Sequence, residues 1–399
     1  MTHKIRIGDL GEIITGNTPP RDMPEYYGSC TPFIKATDID ESSKYTYAPE
    51  ESYSEIGYQK YRKSLIPKGS TCVVTIGSIG KKMTMAHCDC FINQAMNAII
   101  PSANYDCEYV YYVIKHNVHR LKALDSGTAS GRENVSKSAF SNLEIDVIDD
   151  LEIQRKIGLV LSTYDDLIEN NRRQVKLLEE AAQRLYKEWF VDLRFPGWET
   201  TPITDGVPEG WHMVALSEIA SVNKQSISKQ YPYDYIDYTD IGSVSMGRIK
   251  TTTRYATKDA PGRAKRIAFD GDILWGMVRP NLRSYALVFH PAETSVFSTG
   301  FAILHAEKVP FSFLYCHVTQ DEFVGYLINC TNGAAYPAVK PIHFEKTNLL
   351  LPTDELLEKF HSLVGPMFRK VEILEREIHQ ATEARDRLLP KLMSGELEV

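Results

Sequence analysis

The sequence predicts an α+β protein with two homologous globular domains and two long antiparallel coiled-coil helices, arranged as a pseudo-twofold internal repeat. Two observations predict this architecture. When the second half of the chain is set against the first at an offset of 202 to 206 residues, matching residues of the globular segments recur in the same order. The helical segments recur at one constant offset of 203 residues. Offsets that persist over whole segments indicate a duplicated structural unit.

The chain is expected to contain five segments. They are a first globular domain at 1–150, a first helix at 151–195, a linker at 196–206, a second globular domain at 207–352 and a second helix at 353–399. Proline and glycine are frequent around the linker, and both residues interrupt helices. The order is therefore domain, helix, domain, helix.

The two globular segments mix short β-branched and aromatic runs with glycine-rich turns, which is typical of α+β domains. Each segment has candidate strands followed by a candidate helix. The candidate strands are Thr71–Ile76, Phe91–Ile100, Asp272–Gly276 and Ser284–Phe289, and the candidate helices are Cys107–Leu124 and Phe311–Leu327.

The helical segments show apolar residues at alternating spacings of three and four, the period of a coiled-coil seam. Two such helices in one chain most simply pair with each other in antiparallel fashion; a coiled coil with another molecule is the alternative. At 1.5 Å per residue, the helix expected from Gln154 to Phe190 is about 55 Å long. Asn171 and Arg385 interrupt the seam, where they either set the register or reach solvent. The apolar seam residues are Leu161, Ile168, Val175, Leu178 and Leu185 in the first helix, and Val364, Val371, Leu374, Ile378 and Leu388 in the second.

Positive charge is concentrated locally, although the whole chain has a net charge of -7. Residues 60–82 contain six basic residues and no acidic one, and residues 246–283 contain nine basic residues against three acidic ones. Clusters of this kind, with tyrosines between them, suit phosphate contact and stacking, although most charge runs are simply solvated faces.

Two later loops, at 126–137 and 331–340, add residues that can read base edges, since arginine favours guanine and asparagine favours adenine in the major groove. The alternative is that they are ordinary glycine-rich surface loops. The predicted DNA-binding residues are Arg62, Lys63, Lys81, Lys82, Arg132, Asn134, Lys137, Arg248, Lys250, Arg254, Arg263, Lys265, Arg266, Arg279, Arg283, Tyr336 and Lys340.

The sequence contains no recognisable catalytic motif. The segment GSIGK at 77–81 resembles a phosphate loop, but Thr75 stands where the first glycine would be required. His87, Cys88 and Cys90 lack a second ligand pair at zinc-site spacing. We therefore expect no catalytic site, no metal site and no cofactor in this chain.

Seven cysteines without framework spacing favour reduced thiols. No run of about 18 apolar residues predicts a membrane span. Together these features predict a cytoplasmic protein without a membrane partner.

Several short strings occur in a fixed order along the chain. They are PFIKATDI at 32–39, IPKGS at 66–70, IGSIGK at 76–81, INQAMNAIIP at 92–101, FVDLRFPG at 190–197, VPEGW at 207–211 and LLPKLMSGELEV at 388–399. In this order, the strings resemble the specificity subunits of Type I restriction-modification systems. Two departures are IDVIDDLEIQ at 145–154, where the family has a proline-rich entry into the helix, and TGFAIL at 299–304, where the first domain has NQAMNAI.

The resemblance implies a DNA-binding subunit whose two globular domains are target recognition domains, each reading half of a split, asymmetric target in double-stranded DNA. It implies two modification subunits that bind S-adenosylmethionine and flip the target adenine, and restriction subunits that use ATP and Mg²⁺. A helix of about 55 Å allows at most about 16 base pairs between half-site centres. A coiled-coil scaffold that binds proteins, and an enzyme whose catalytic residues escape recognition, are the alternative functions.

Overall fold

The computed structural model describes residues 2–127, 131–228, 231–331 and 337–399. The chain forms two compact units, Met1–Arg172 with Arg376–Val399 (unit 1) and Arg173–Glu375 (unit 2). Each unit therefore holds one globular domain together with parts of both long helices. Within the described residues, no helix has the length and apolar character needed to cross a membrane.

Unit 1 contains two main sheets and a strand pair. The strand pair joins Thr2–Arg6 to Glu144–Ile148, and thus the two ends of the domain. The four-stranded antiparallel sheet has the order Gly11–Thr15, Met96–Pro101, Thr71–Val74, Met83–Met85; the three-stranded sheet has the order Glu51–Tyr53, Tyr27–Ile34, Phe91–Ile92, with the last two strands parallel. The helices of this domain are Glu55–Tyr61, Cys107–Asn117 and Lys137–Asn142.

Unit 2 repeats this topology. Its strand pair joins His212–Ala215 to Asn348–Leu351. The four-stranded sheet has the order Ala220–Val222, Phe301–Ala306, Ile273–Gly276, Tyr285–Leu287; the second sheet has the order Gln225–Ser226, Ala264–Ile267, Ser295–Ser298, Tyr235–Thr239, Thr253–Ala256, and again contains one parallel pair. The helices are Leu216–Ile219, Phe311–Val318, Asp321–Asn329 and Pro341–Glu345, and two short hairpins pair Ile203–Thr204 with Val207–Pro208 and Val244–Ser245 with Arg248–Ile249.

The predicted α+β duplication is confirmed, with local corrections. The expected strand Phe91–Ile100 is two strands, because a turn in which Met96 N donates to Asn93 O separates them. The expected helix Phe311–Leu327 is two helices, because Gln320 adopts an extended conformation and begins the second. The strands expected at 71–76, 272–276 and 284–289 are each shorter at one or both ends. In unit 1, the helix Cys107–Asn117 continues as a 3₁₀ segment to Leu124, as the sequence predicts for its end.

The first long helix spans Leu151–Tyr186 and continues through a π-helical turn, Lys187–Val191. It begins at the first residue of the expected segment 151–195, three residues before Gln154, because Asp150 Oδ1 accepts hydrogen bonds from the backbone N–H groups of Glu152 and Ile153. Such a side-chain cap satisfies donors that have no partner within the helix. The second long helix spans Asp354–Ser394.

In unit 1, the described segments of the two long helices run antiparallel. Arg385 donates a hydrogen bond to Asp165, and Asn171 donates one to Glu377. Residue numbers therefore decrease along the second helix as they increase along the first. In unit 2, Trp189 packs on Phe360 at 5.9 Å between ring centroids, and Ala182 and Phe368 share one apolar core. The antiparallel prediction is therefore confirmed within each unit.

Most predicted seam residues are buried. Leu161, Ile168 and Val175 of the first helix are buried, as are Val364, Leu374 and Ile378 of the second; Leu178, Leu185, Val371 and Leu388 are half-buried. The polar seam residues Asn171 and Arg385 are buried and paired rather than directed to solvent, which favours the register-setting interpretation.

Candidate nucleic-acid interface

In unit 1, two loops that the sequence places far apart lie side by side. The turn at 75–82 follows the strand Thr71–Val74, and the later loop runs from 131 to 137. Gly77 N donates to Glu133 O at 3.0 Å and Val135 N donates to Thr75 O at 2.8 Å, with a further hydrogen bond from Ile79 N to the Glu133 carboxylate at 3.3 Å. These bonds bring the predicted residues Lys81 and Lys82 to the same edge as Arg132, Asn134 and Lys137.

Unit 2 repeats this arrangement with different side chains. Arg279 N donates to Pro337 O at 2.8 Å, and Val339 N donates to Met277 O at 2.9 Å. The turn at 277–284 thus lies against the loop at 337–340, which brings Arg279 and Arg283 close to Lys340. Tyr336 and Asn332 lie outside the described residues.

We call these elements the paired loops: residues 75–82 with 131–137 in unit 1, and 277–284 with 337–340 in unit 2. Their exposed cations are Lys81, Arg132 and Lys137 in unit 1, and Arg279 and Lys340 in unit 2. Both turns connect the same two strands of the four-stranded sheet. A sheet edge that carries exposed arginine and lysine beside the half-buried Asn134 can contact phosphates and base edges together.

Lys82 and Arg283, both at the paired loops, contact other residues of the protein. The Lys82 amine donates to Ala36 O at 3.3 Å. Arg283 forms an ion pair with Asp321 at 2.5 Å, and this hydrogen bond raises the pKa of Arg283 above its ordinary value. Asp321 is largely exposed, so this pair exchanges readily with another anion such as a phosphate.

The remaining exposed predicted residues lie outside the paired loops. Arg62 and Lys63 are exposed in a 3₁₀ turn after the helix Glu55–Tyr61. In unit 2, Lys250 is exposed directly after the hairpin strand Arg248–Ile249, and Arg263 and Lys265 are exposed beside and on a strand of the five-stranded sheet. The structure therefore does not bring these residues together with the paired loops.

Arg254 and Arg266, also on the five-stranded sheet, are held by the protein. Arg254 forms two hydrogen bonds with Asp237, at 2.8 and 3.1 Å, and lies over the ring of Tyr235 at 4.1 Å. Burial lowers the pKa of Arg266, whose Nε is buried and has no acceptor among the described residues.

Arg248 forms ion pairs within the protein that the count of charges did not predict. Its guanidinium forms ion pairs with Glu375 and, at 3.5 Å, with Glu179, one from each long helix of unit 2. Burial alone lowers the pKa of Arg248, but the two glutamates outweigh it, and the pKa lies above its ordinary value. Because these contacts anchor the hairpin to the helices, we leave Arg248 out of the proposed DNA surface.

A buried ion pair in unit 1 also escaped the sequence analysis. The side chains of Asp165 and Arg385 are 2% and 6% exposed. Asp165 also accepts a hydrogen bond from the Tyr112 hydroxyl at 2.5 Å, and the Lys115 amine lies 4.0 Å from it. Burial raises the pKa of Asp165, but Lys115 and Arg385 outweigh it and hold that pKa below its ordinary value. Burial lowers the pKa of Lys115 to about 8.

Metal-ligating residues do not converge in the described parts of the chain: these hold no group of three or more His, Cys, Asp or Glu arranged for a metal ion. Cys90 is buried, which raises the pKa of its thiol. A buried thiol of high pKa is a poor metal ligand and nucleophile.

Comparison with known proteins shows what the chain is similar to. The profile of the family described as "Type I restriction modification DNA specificity domain" matches residues 2–180. The chain is 27% identical to the Type I restriction enzyme MjaIX specificity subunit of Methanocaldococcus jannaschii, over 99% of this chain and 93% of that protein. Residues 2–180 thus match a Type I DNA specificity domain, and the chain is similar to a Type I specificity subunit over almost its whole length.

Two further likenesses accompany this match. The HindI specificity subunit of Haemophilus influenzae is 34% identical over 173 residues, which cover 42% of this chain and 37% of that protein. The crystal structure of the Type I S subunit of M. genitalium has the same fold, with a TM-score of 0.66, 16% identity, and coverage of 98% of this chain and 96% of that one. The family match and the named relatives support a role in DNA target specificity.

Proposed function

We propose that this chain is a specificity subunit and reads a bipartite, asymmetric target in double-stranded DNA, with one half-site for each unit. The recurrence of the paired loops carries the proposal: both units present exposed cations at the same edge of the same sheet. Duplicated folds with different side chains at one edge suit the reading of two different half-sites. In this proposal, lysines hold phosphates, while Arg132, Asn134 and Arg279 reach base edges.

The long helices are proposed to set the gap between the half-sites. The first long helix has 36 residues, which corresponds to about 54 Å at 1.5 Å per residue. At 3.4 Å per base pair, this length allows at most about 16 base pairs between half-site centres. Reading both halves from one face of the duplex favours a spacing near one helical turn of DNA.

The chain is proposed to act without a catalytic site or cofactor of its own, in the cytoplasm where the DNA lies. Two modification subunits would bind S-adenosylmethionine and methylate a flipped adenine. Restriction subunits would supply ATP- and Mg²⁺-dependent translocation and cleavage. The specificity subunit contributes the target and the geometry, and its partners contribute the chemistry.

Removal of one positive charge from a paired loop tests the DNA surface. Lys81→Ala should weaken binding of a duplex that contains the target, and should reduce the slope of log K against log salt concentration by about 0.9, the value for one phosphate contact. Lys176→Ala is the matched control, because Lys176 is exposed on the first long helix and pairs with Glu180 at 3.8 Å. Equal slopes for Lys81→Ala and the unchanged chain would remove this loop from the DNA surface.

Lengthening the helices tests the spacer. One heptad inserted after Arg172 and one after Glu375 lengthen both helices where the two units divide, so the contacts inside each unit are kept. Seven residues add about 10.5 Å, or about three base pairs, to the preferred gap. Seven residues inserted at the exposed Asp205–Gly206 turn are the control, for which the gap should stay the same. A methylated motif with an unchanged gap after the double insertion would contradict the spacer role.

A further inference from the structure

A third segment of unit 1 lies against the turn at 75–82. It is the 3₁₀ segment Val118–Leu124, whose Lys122 side chain crosses the backbone of Gly80. A Cβ built on Gly80 would lie 2.9 Å from Lys122 Cγ and 3.4 Å from Lys122 Cε, and the φ of Gly80 is 76°. Glycine at this position therefore leaves the space in which the alkyl chain of Lys122 lies beside Lys81.

This contact brings two positive charges together. Lys81 and Lys122 are both exposed, and neither amine has an acceptor among the described residues. Two acidic residues of the neighbouring loop, Asp125 and Glu133, accept hydrogen bonds from backbone N–H groups instead. Like charges held close together repel each other, and an anion that binds both removes this repulsion.

The duplicate turn of unit 2 has the opposite arrangement. Arg283 stands where unit 1 has Lys81, at an offset of 202 residues, and its partner Asp321 begins the helix Asp321–Asn329 that replaces the segment Val118–Leu124. The 2.5 Å ion pair neutralises this turn from within the protein. The segment Val118–Leu124 of unit 1 contains a histidine, an arginine and a lysine but no acidic residue. An anion that neutralises the unit 1 turn therefore comes from outside the chain.

We infer that Lys81 and Lys122 form a phosphate-binding site for the DNA backbone at the half-site of unit 1. The inference rests on the proposed function, and it adds to the DNA surface a segment that holds none of the residues predicted from the sequence. Lysine binds phosphate as a point charge, and such contacts fix the position of a domain on the duplex without reading its sequence. In unit 2, Asp321 competes with the phosphate for Arg283, so the two half-sites differ in how strongly they hold the backbone.

The test uses the full chain produced with its modification subunit, and a duplex that contains the methylated motif. Lys122→Met removes the charge but keeps an alkyl chain over Gly80, whereas Lys122→Arg keeps the charge. Lys176→Met is the matched control, because Lys176 is exposed on the first long helix and pairs with Glu180 at 3.8 Å. Binding is measured against salt concentration, and on duplexes in which one phosphate at a time is replaced by an uncharged methylphosphonate.

We expect Lys122→Met to reduce the slope of log K against log salt concentration by about 0.9, the value for one phosphate contact. Lys122→Arg and Lys176→Met should keep the slope of the unsubstituted chain. One methylphosphonate that weakens binding of the unsubstituted chain should have no effect on Lys122→Met. The phosphate found in this way should be the same as, or next to, the phosphate found with Lys81→Ala.

A variant of unit 2 tests the contrast between the two turns. Asp321→Asn removes the carboxylate that neutralises Arg283, so DNA binding should become tighter and its salt slope should increase by up to about 0.9. An unchanged affinity and slope in this variant would contradict the comparison of the turns on which the inference is based.

The inference would also be overturned by equal slopes for Lys122→Met and the unsubstituted chain, or by an equal response of both to every methylphosphonate; Lys122 would then be a solvated surface residue. A slope reduced as much in Lys176→Met would show that only the overall charge of the chain acts. The proposed function fails separately, if the unsubstituted chain binds its motif no more tightly than an unrelated duplex.

Discussion

The buried pair of Asp165 and Arg385 can be tested with the second unit as the internal reference. At the helical offset of 203 residues, Asp165 corresponds to Phe368 and Arg385 corresponds to Ala182, and these two pack in one apolar core. Loss of one partner of a buried ion pair typically costs about 3–5 kcal/mol, whereas replacement of both by packed apolar residues is often neutral or stabilising by about 1–4 kcal/mol. The duplicate therefore supplies the substitutions for a double-mutant cycle.

We expect Arg385→Ala to destabilise unit 1 by about 3 kcal/mol, the lower end of the range. The Tyr112 hydroxyl and the Lys115 amine still face Asp165 in this variant and compensate part of its charge. In Asp165→Phe, the remaining ionic partner of Arg385 is Asp386, at 2.7 Å, and the Asp386 side chain is largely exposed. This variant should therefore destabilise unit 1 by a similar amount. The double variant Asp165→Phe/Arg385→Ala should be closer to the unsubstituted protein than either single variant.

Hydrogen exchange followed by mass spectrometry measures this effect in unit 1, in peptides from 151–172 and 376–394. A loss of about 3 kcal/mol corresponds to roughly 150-fold faster exchange of the most protected amides. All four tryptophans, Trp189, Trp198, Trp211 and Trp275, lie in unit 2, so their fluorescence serves as the control. Additive effects of the two single substitutions, or a loss below about 1 kcal/mol for Arg385→Ala, would refute the reasoning.

The pH dependence of the two units and the role of Arg248 give three further predictions. In the folded protein the pKa of Asp165 lies below its ordinary value, so Asp165 stabilises unit 1 fully above the unfolded pKa of about 3.9. This stabilisation is lost as the pH falls through the lower folded pKa. Hydrogen exchange at acidic pH should show no such loss in Asp165→Phe/Arg385→Ala. Burial lowers the pKa of His317 to about 4, so the unfolded state binds the proton first and unit 2 should lose about 1.4 kcal/mol per pH unit between pH 6.5 and about 4. Tryptophan fluorescence measures that loss, and a dependence that is unchanged in His317→Gln would contradict it. Arg248→Met should lower the unfolding temperature of unit 2 while the salt slope of DNA binding stays constant; a smaller slope would return Arg248 to the DNA surface.

The fold could be predicted from the sequence because the duplication makes similar residues recur in the same order in both halves of the chain. The helices followed from apolar spacing, and their antiparallel pairing followed from the need to return along one chain. Asp165 was missed because spacings of three and four from Leu161 place the next seam position at Tyr164. In addition, Arg385, whose charge makes the burial of Asp165 favourable, lies 220 residues away in the sequence. The predicted helical segment 151–195 has the same first residue as the observed helix, and the cap at Asp150, which is visible in the sequence, gives the physical reason for that start.

Site prediction from charge was less selective than site prediction from structure. The basic clusters contain the cations of the turns at 75–82 and 277–284, but they also contain Arg248 and Arg254, which pair with carboxylates within the protein. A count of charges cannot tell exposed basic residues from those paired within the protein. Glu375, the partner of Arg248, is far from it in the sequence, and Asp237, the partner of Arg254, lies opposite it on the neighbouring antiparallel strand. The role of Glu133 could not be predicted either, because no local sequence pattern indicates that its backbone and side chain hold the paired loops of unit 1 together.

The proposal that each unit reads one half of a split target can be tested directly in cells. Single-molecule sequencing of methylated adenines should be carried out in cells that make this chain with its modification subunit and in cells without the chain. We expect a split motif with an unspecified gap that disappears with the chain, and of which only one half changes when the paired loops of unit 2 are substituted. An unchanged methylation pattern with both subunits present and active, or a motif without a gap, would show that the two units do not read a split target.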